Sequence, residues 1–176
     1  MFDLLPLADA VPDAVEALLD AAFGTDRHGR TAYRVRDGMA AIPELSFAAL
    51  QDGELVGSIQ CWPVALHTDS GEATPMVMVG PVAVSPARQN VGIGRALMWR
   101  SIELADAGDI PGADVLMLIG DPEYYDQFGF DAGATGHWQL PGPFESRRLL
   151  ARGDAPDRAG IVGPRARSLT AAAKSA

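Results

Sequence analysis

The residues best suited to chemistry lie in two short segments. The first, Val82-Ala83-Val84-Ser85-Pro86-Ala87-Arg88-Gln89-Asn90-Val91-Gly92-Ile93-Gly94, puts a strand end, a loop and two glycines directly ahead of a helix. Unpaired amides at a helix start attract anions, and glycine lets a phosphate come close to the backbone. A pyrophosphate is the natural guest. The second segment, Asp121-Pro122-Glu123-Tyr124-Tyr125-Asp126-Gln127-Phe128-Gly129-Phe130, places two phenols on a short helix that Asp121 caps and Pro122 starts.

Two nucleotide readings of the first segment fail on residues that do physical work. A dinucleotide fingerprint needs a third glycine where Leu97 stands, and a P-loop needs Lys and Ser or Thr where Gly94 is followed by Arg95-Ala96. Gln89-x-x-Gly92-x-Gly94 instead resembles the acyl-CoA pyrophosphate loop of the GNAT N-acetyltransferase superfamily. The preceding Gly80-Pro81-Val82-Ala83-Val84 is similar to that family's bulged strand, and Tyr125 through Phe130 to its tyrosine helix followed by Phe-Gly-Phe. The agreement in order and spacing spans most of residues 1–150.

The resemblance implies acetyl-CoA as cosubstrate, no metal, and direct attack by a primary amine in a ternary complex. The pantetheine arm would lie along Val82, Ala83 and Val84 like an added strand. The pyrophosphate would rest on amides of Gln89, Asn90, Val91, Gly92, Ile93, Gly94 and Arg95, with the Arg88 or Arg95 side chain assisting. Tyr125, four residues before Gly129, takes the position of the family's general acid; a phenol of pKa about 10 can protonate a leaving thiolate. The plain alternative for Tyr125 is a core ring beside Phe128 and Phe130, and Tyr124 is expected to be structural. The general base is unresolved: the strand from Thr74 to Val84 has no carboxylate, and Glu44, His67, Asp121, His137 or a water chain remain open. His28 sits in a polar loop on the expected acceptor side. A non-catalytic acyl-CoA-binding sensor or scaffold would show the same loop, and the acceptor amine, small molecule or peptide, is not encoded legibly.

These residues need elements to hold them. Phe2 to Leu7 reads as a strand; Val11, Val15, Leu18, Leu19 and Ala22 recur at helical spacing with Pro12 in the first turn and Gly24 at the end. Arg27 to Asp37 reads as a second helix. Leu45–Gln51 and Leu55–Trp62 flank Asp52-Gly53, a two-residue hairpin signal, and Asp69-Ser70-Gly71-Glu72 turns into Met76–Val84. Gly80-Pro81 inside that strand predicts a bulge, because proline lacks an amide donor. A helix over Gly94–Ala107 and a buried strand over Asp114–Ile119 complete a parallel crossover of right-handed form. Phe130, Trp138–Leu140 and Arg147–Ala151 supply closing strands. The expected fold is α/β (α+β mixed sheet): a central mixed sheet with a bulged strand and flanking helices, as one domain over 1–151 and a mobile tail over 152–176.

Composition narrows the function classes. The chain of 176 residues has 48% hydrophobic residues and a net charge of −9, with Lys174 its single lysine. That excludes a basic stripe for nucleic acid, and no apolar run is long enough for a membrane span. Met1-Phe2-Asp3-Leu4 carries no basic segment ahead of an apolar run, so a cytoplasmic location is expected. An acidic surface favours a cationic substrate. Cys61 stands alone in an apolar run and reads as a buried, inert thiol; Trp62, Trp99 and Trp138 read as core. A homodimer is compatible with all of this.

Overall fold

The computed structural model describes residues 1–89 and 91–165; Asn90 and residues 166–176, which include the end of the expected tail, lie outside the described residues. Strand β1 (Asp3–Pro6) pairs antiparallel with β2 (Phe47–Gln51), and β2 pairs antiparallel with β3 (Glu54–His67). Asp52 (φ 52) and Gly53 (φ 80) form the turn between them, both in the left-handed region that a two-residue hairpin demands. β3 runs antiparallel to β4 (Ala73–Val84), and β4 runs parallel to β5 (Val115–Ile119). β6 (Trp138–Gln139) pairs with β8 (Gly160–Pro164), β7 (Leu149–Gly153) pairs with β5, and β8 also pairs with β3. The result is a mixed sheet in the order β1-β2-β3-β4-β5-β7, with β8 joining the far end of β3.

β3 is longer than its periodicity predicts, passing through Pro63 to His67. Its outer edge meets β2 as far as Ile59 and β8 from Val64 onward. In the gap, the Cys61 amide donates to Ser46 Oγ (3.1 Å) and the Cys61 carbonyl accepts from Ile42 (2.7 Å). Pro63, two residues on, turns the same way, so its missing N–H falls where no ladder bond is lost.

Helix α1 (Pro12–Phe23) buries Val15, Leu18 and Leu19 and is closed by Gly24 (φ 93). Val11 lies just outside it as an exposed cap residue rather than on the buried face. The second predicted helix is broken. Arg27–Gly29 form a 3-10 turn, Arg30 is extended, and only Thr31–Val35 are helical (α2). Side chains cause the break: Arg27 turns inward to Asp20 (3.0 Å), Glu16 and the Tyr33 hydroxyl (2.6 Å), and Arg30 reaches back to the Phe23 carbonyl (2.7 Å). Helix α3 (Ile93–Ala107) lays Leu97, Met98, Ile102 and Ala105 against one face of the sheet. Helix α4 (Pro122–Tyr125) begins under the Asp121 carboxylate, which accepts from the Glu123 amide (3.4 Å).

The expected bulge is present and sets which side chains share a face. Cys61 pairs with Val79 and Ile59 with Val82, so one residue of β3 opposes two of β4, Gly80 and Pro81. The extra residue resets the pleat. Val77 and Val79 before it, and Val82 and Val84 after it, all face α3, while on the opposite side Met78 packs with Val35 of α2 and Ala83 with α1. The β4–β5 ladder holds only Val77 to Leu116 and Met78 to Met117, and beyond it the two strands part.

The mobile tail expected from residue 152 is corrected through Pro164. β7 extends to Gly153, and β8 carries the fully buried Val162 into the sheet. The Arg165 guanidinium then donates to the carbonyls of Val64 (3.2 Å) and Pro111 (3.0 Å). The glycine-rich composition that suggested mobility serves packing instead: a Cβ on Gly160 would meet the His67 carbonyl at 2.8 Å and Leu66 at 2.9 Å. Gly160→Val is therefore expected to cost about 1–3 kcal/mol through overpacking. Thermal unfolding checks this, since a free tail would tolerate valine without any change in Tm.

Candidate active site

The residues of the predicted anion loop come together at the opening between β4 and β5. The loop leaves β4 with Ser85 donating to the Val56 carbonyl (2.8 Å) and Arg88 to Ser85 (2.8 Å), and Gly92 (φ 85) caps α3 with no side chain bonded to the helix start. The first helical bond runs from the Ala96 amide to the Gly92 carbonyl (3.0 Å). Among the described residues no acceptor meets the amides of Ile93, Gly94 or Arg95, the donors that a helix start leaves without an intrahelical partner. Beside them, β4 from Val82 to Val84 is paired only to β3, at Ile59, Ser58 and Gly57.

A cavity of about 490 Å³ lies over this cradle. Of the predicted cosubstrate residues, Val82, Val84, Gln89, Gly92, Ile93, Gly94 and Arg95 line it. Ala83 turns its methyl to α1, Val91 is exposed, and Asn90 lies outside the described residues. A second cleft, of about 1090 Å³, opens on the α1 and α2 side. The two share Phe23, Val82, Tyr124 and Tyr125.

The neighbouring tyrosines line both spaces. Their rings meet edge to face (4.9 Å, 87°). Tyr125 lies over Gly120, where a Cβ would collide with its ring, and packs beside Phe128 (6.2 Å) and Phe130 (6.3 Å). Burial, reinforced by the Tyr124 phenol, pushes the Tyr125 hydroxyl up to about 12, with Arg148 opposing. Tyr124, expected to be structural, is partly exposed, and its hydroxyl sits 3.6 Å from where a Gly94 Cβ would lie. Its pKa is also raised by burial, with Arg95 opposing. Tyr124 thus reaches toward the anion loop, while the Tyr125 ring is seated over Gly120.

Most of the candidate bases lie elsewhere. Glu44 and His137 are exposed and off the cleft, and His67 Nε2 is bonded to the Pro164 carbonyl (3.1 Å). His28 stacks on Tyr33 (5.0 Å) outside the lining. Asp121 does line the larger cleft, with its carboxyl held below the usual range, first by its contact with Glu123. Among the described residues no cluster of three His, Cys, Asp or Glu side chains is placed to hold a metal.

The charge of the larger cleft was not legible from residue order. Its wall carries Arg27, Arg30, Arg34, Arg36 and Arg148 against only Asp121 and Glu145, so the cationic substrate inferred from net charge does not match the local field. Arg36 is 8% exposed, and its guanidinium lies between the rings of Trp62 (3.7 Å) and Tyr33 (4.1 Å). Each such stack stabilises a cation by about 0.5–2 kcal/mol. Burial nevertheless pulls the Arg36 pKa below its ordinary value. Trp62 is accordingly a platform for this guanidinium, not only a core residue. The i to i+3 spacing of Tyr33 and Arg36 on a short helix was the available signal, and it is a weak one.

A mixed sheet opened beside a bulged strand, with free helix-start amides at its mouth, is the architecture of an acyl-CoA-dependent N-acyltransferase. Residues 6–133 match the acetyltransferase (GNAT) domain, and the chain belongs to the GNAT family. It is 28% identical over 122 residues to the uncharacterized N-acetyltransferase YhbS of Escherichia coli K12, covering 68% of each chain. The crystal structure of Escherichia coli YhbS in complex with CoA superposes with a TM-score of 0.68 at 23% identity, over 94% of this chain and 89% of that one. A GNAT acetyltransferase from Brucella melitensis in complex with acetyl-CoA gives a TM-score of 0.63 at 27% identity, over 94% and 97%. No helix among the described residues is long and apolar enough to cross a membrane.

Cys61 lies across from the bulge, 1% exposed, and burial pushes its thiol up to about 12. At pH 8 the thiolate is then only about one part in ten thousand, where a free cysteine would be tens of per cent ionised. Native protein should resist an aromatic disulfide reagent over minutes at that pH and react at once in denaturant. Fast labelling of the folded protein would mean that the strand pair at the bulge opens readily.

Proposed function

We propose that the protein transfers the acetyl group of acetyl-CoA to a primary amine by direct attack in a ternary complex, with Tyr125 as general acid. One observation supports this above the others: two cavities, one over a helix-start amide cradle and one open to a second substrate, meet at Val82 and Tyr125. The complexes of the YhbS and Brucella melitensis relatives with CoA and acetyl-CoA favour the same cosubstrate here.

In this reading the amides of Ile93, Gly94 and Arg95 bind the pyrophosphate, with Arg95 adding charge, and the open edge of Val82 to Val84 takes the pantetheine amides as a further strand would. The acetyl group then reaches the junction of the two cavities, and the amine enters by the larger one. Its nitrogen bonds to the thioester carbon, and the oxygen gains negative charge that a backbone amide near Val82 stabilises. As the C–S bond breaks, the sulfur takes the proton of the Tyr125 phenol. The proton shed by the amine passes to water in the open cleft, and the phenolate is reprotonated from solvent. Asp121 is a poor base because its proton affinity is lowered.

Tyr125→Phe should reduce kcat about 10²-fold while acetyl-CoA affinity stays within about two-fold. Single-turnover kinetics and titration calorimetry separate the two, and an unchanged kcat removes Tyr125 from the acid role. The pH profile tests the same group. Because its pKa is raised from 10.0 to about 12, the phenol keeps its proton throughout the range in which the amine becomes free base. The rate should therefore climb with pH and show no descending limb below about pH 10. A fall centred near pH 8 would assign the acid to another group. Gly92→Val forces a β-branched residue into φ 85 at the cap of α3 and should weaken coenzyme A binding about ten-fold or more by disordering the amides. Calorimetry with coenzyme A checks this, and unchanged affinity would place the pyrophosphate elsewhere.

A further inference from the structure

We infer that the amine acceptor also carries an oxyanionic group, a carboxylate or a phosphate, and that Arg36 in the larger cleft receives it. The inference rests on the proposed transfer to an amine and adds the chemistry of the acceptor's other end.

Two buried arginines flank this cleft, and they are treated differently. Arg27, 3% exposed, is paired with Glu16, Asp20 and the Tyr33 hydroxyl, so its charge is fully answered within the protein. Arg36, 8% exposed, has no ion pair among the described residues; its polar neighbour is the Tyr33 hydroxyl, which already accepts from Arg27, and its Nε is buried without a partner. The indole Nε1 of Trp62, on which the guanidinium lies, is also buried and unpartnered. A buried cation without a counter-charge is destabilising, and a structural role would have been served by a carboxylate, as it is at Arg27.

The sandwich favours a ligand. Trp62 and Tyr33 cover the two faces of the guanidinium, leaving only its edge, and a guanidinium edge binds a planar or tetrahedral oxyanion through paired N–H donors. Arg36 lines the cleft wall, and Trp62 is in register with Met78, two residues ahead of Gly80. Arg36 and the bulge residues Gly80 and Pro81 therefore line one cleft, with Trp62 close to the bulge on β3. Arg148, half-buried in the lining of the same cleft and also without an ion pair among the described residues, adds to the same field. An alkylammonium end group would meet cations there; an oxyanion would meet its complement.

Initial rates of thiol release from acetyl-CoA test this with acceptors matched in length: hexylamine, ε-aminocaproate, aminohexyl phosphate and a diamine. At least one oxyanionic acceptor should exceed hexylamine about ten-fold or more in kcat/KM, as expected for a charge-assisted hydrogen bond. Which one does so distinguishes carboxylate from phosphate, and a shorter series (β-alanine, γ-aminobutyrate) reads the spacing. Arg36→Gln should erase the preference through KM, and Arg36→Lys should restore part of it. Acetyl-CoA affinity reports whether either variant is folded. Should both variants fail to fold, inhibition of the unmodified protein by caproate and hexyl phosphate, competitive with amine and absent for hexanol, carries the same information. Equal rates for hexylamine and both oxyanionic acceptors, or no such inhibition, overturn the inference while leaving amine transfer intact. Absence of acetyl-CoA binding to the unmodified protein overturns the proposed function, and this inference with it.

Discussion

Backbone polar groups in a sheet interior must find partners, and at the centre of this protein one strand is left with an edge that the fold does not pair. β4 is bonded to β5 only at Val77 and Met78, and beyond Val79 its outer edge faces an opening. The cause is local. Two residues, Gly80 and Pro81, stand opposite one on β3, and the strand turns away from its parallel neighbour. A simple break in the strand would also have created a gap. The bulge does more, because the inserted residue returns Val82 and Val84 to the face that packs on α3, so the strand stays anchored while its edge is freed. The helix that follows starts at the same mouth with amides that no acceptor among the described residues meets, and it lines one cavity with the free strand edge.

Net charge described the molecule poorly at the point where charge matters. A chain with a formal charge of −9 lines its larger cleft with five arginines and two carboxylates. Short-range fields in a concave, partly desolvated space depend on which side chains are aimed inward, and distant surface carboxylates are screened within about 10 Å at ordinary ionic strength. The inward aim comes from α1 and α2. Glu16 and Asp20 on α1 draw Arg27 under the cleft, Arg27 holds the Tyr33 hydroxyl, and the Tyr33 ring then supports Arg36 against Trp62. This relay also broke the predicted helix at Arg30, so a propensity error and a recognition feature share one cause.

The sequence was most legible where backbone chemistry alone decides. Asp52-Gly53 had to be a hairpin turn, Gly80-Pro81 a bulge, and the Gly92 to Gly94 stretch a helix start, because few residues accept those conformations. Their neighbours Val82, Val84 and Gln89 could be placed for the same reason. Legibility failed where long-range packing decides. Gly160 and Gly163 look like linker glycines by composition, yet Gly160 allows β8 to lie against His67 and Leu66. The expected strand ended at Trp62, whereas β3 continues through Pro63, which is harmless because its edge changes neighbours there. The bases were illegible for a different reason: carboxylates and histidines scatter through the chain, and only the fold shows that His67 is spent on a strand carbonyl and that Glu44 faces solvent. Arg36 and Tyr124 were missed because neither residue type, without its surroundings, separates a cleft wall from a surface.

The tyrosine at the junction poses a problem of acid strength. A phenol raised from 10.0 to about 12 is available at every working pH, yet it is a weaker acid by about two powers of ten than one in water. Proton transfer to an aqueous thiolate would be further uphill than for an ordinary tyrosine. The same burial, however, acts on the sulfur. In the proposed transfer, a thiolate forming beside these packed rings would lose hydration on that side as the phenolate would, and its basicity would rise by the same mechanism, so the gap between donor and acceptor would narrow. Packing against Phe128 and Phe130 and the close fit over Gly120 therefore serve two ends at once. They hold the ring in place, and in the proposed reaction they would shield one side of the departing thiolate while the rest of the cleft stays open to the amine.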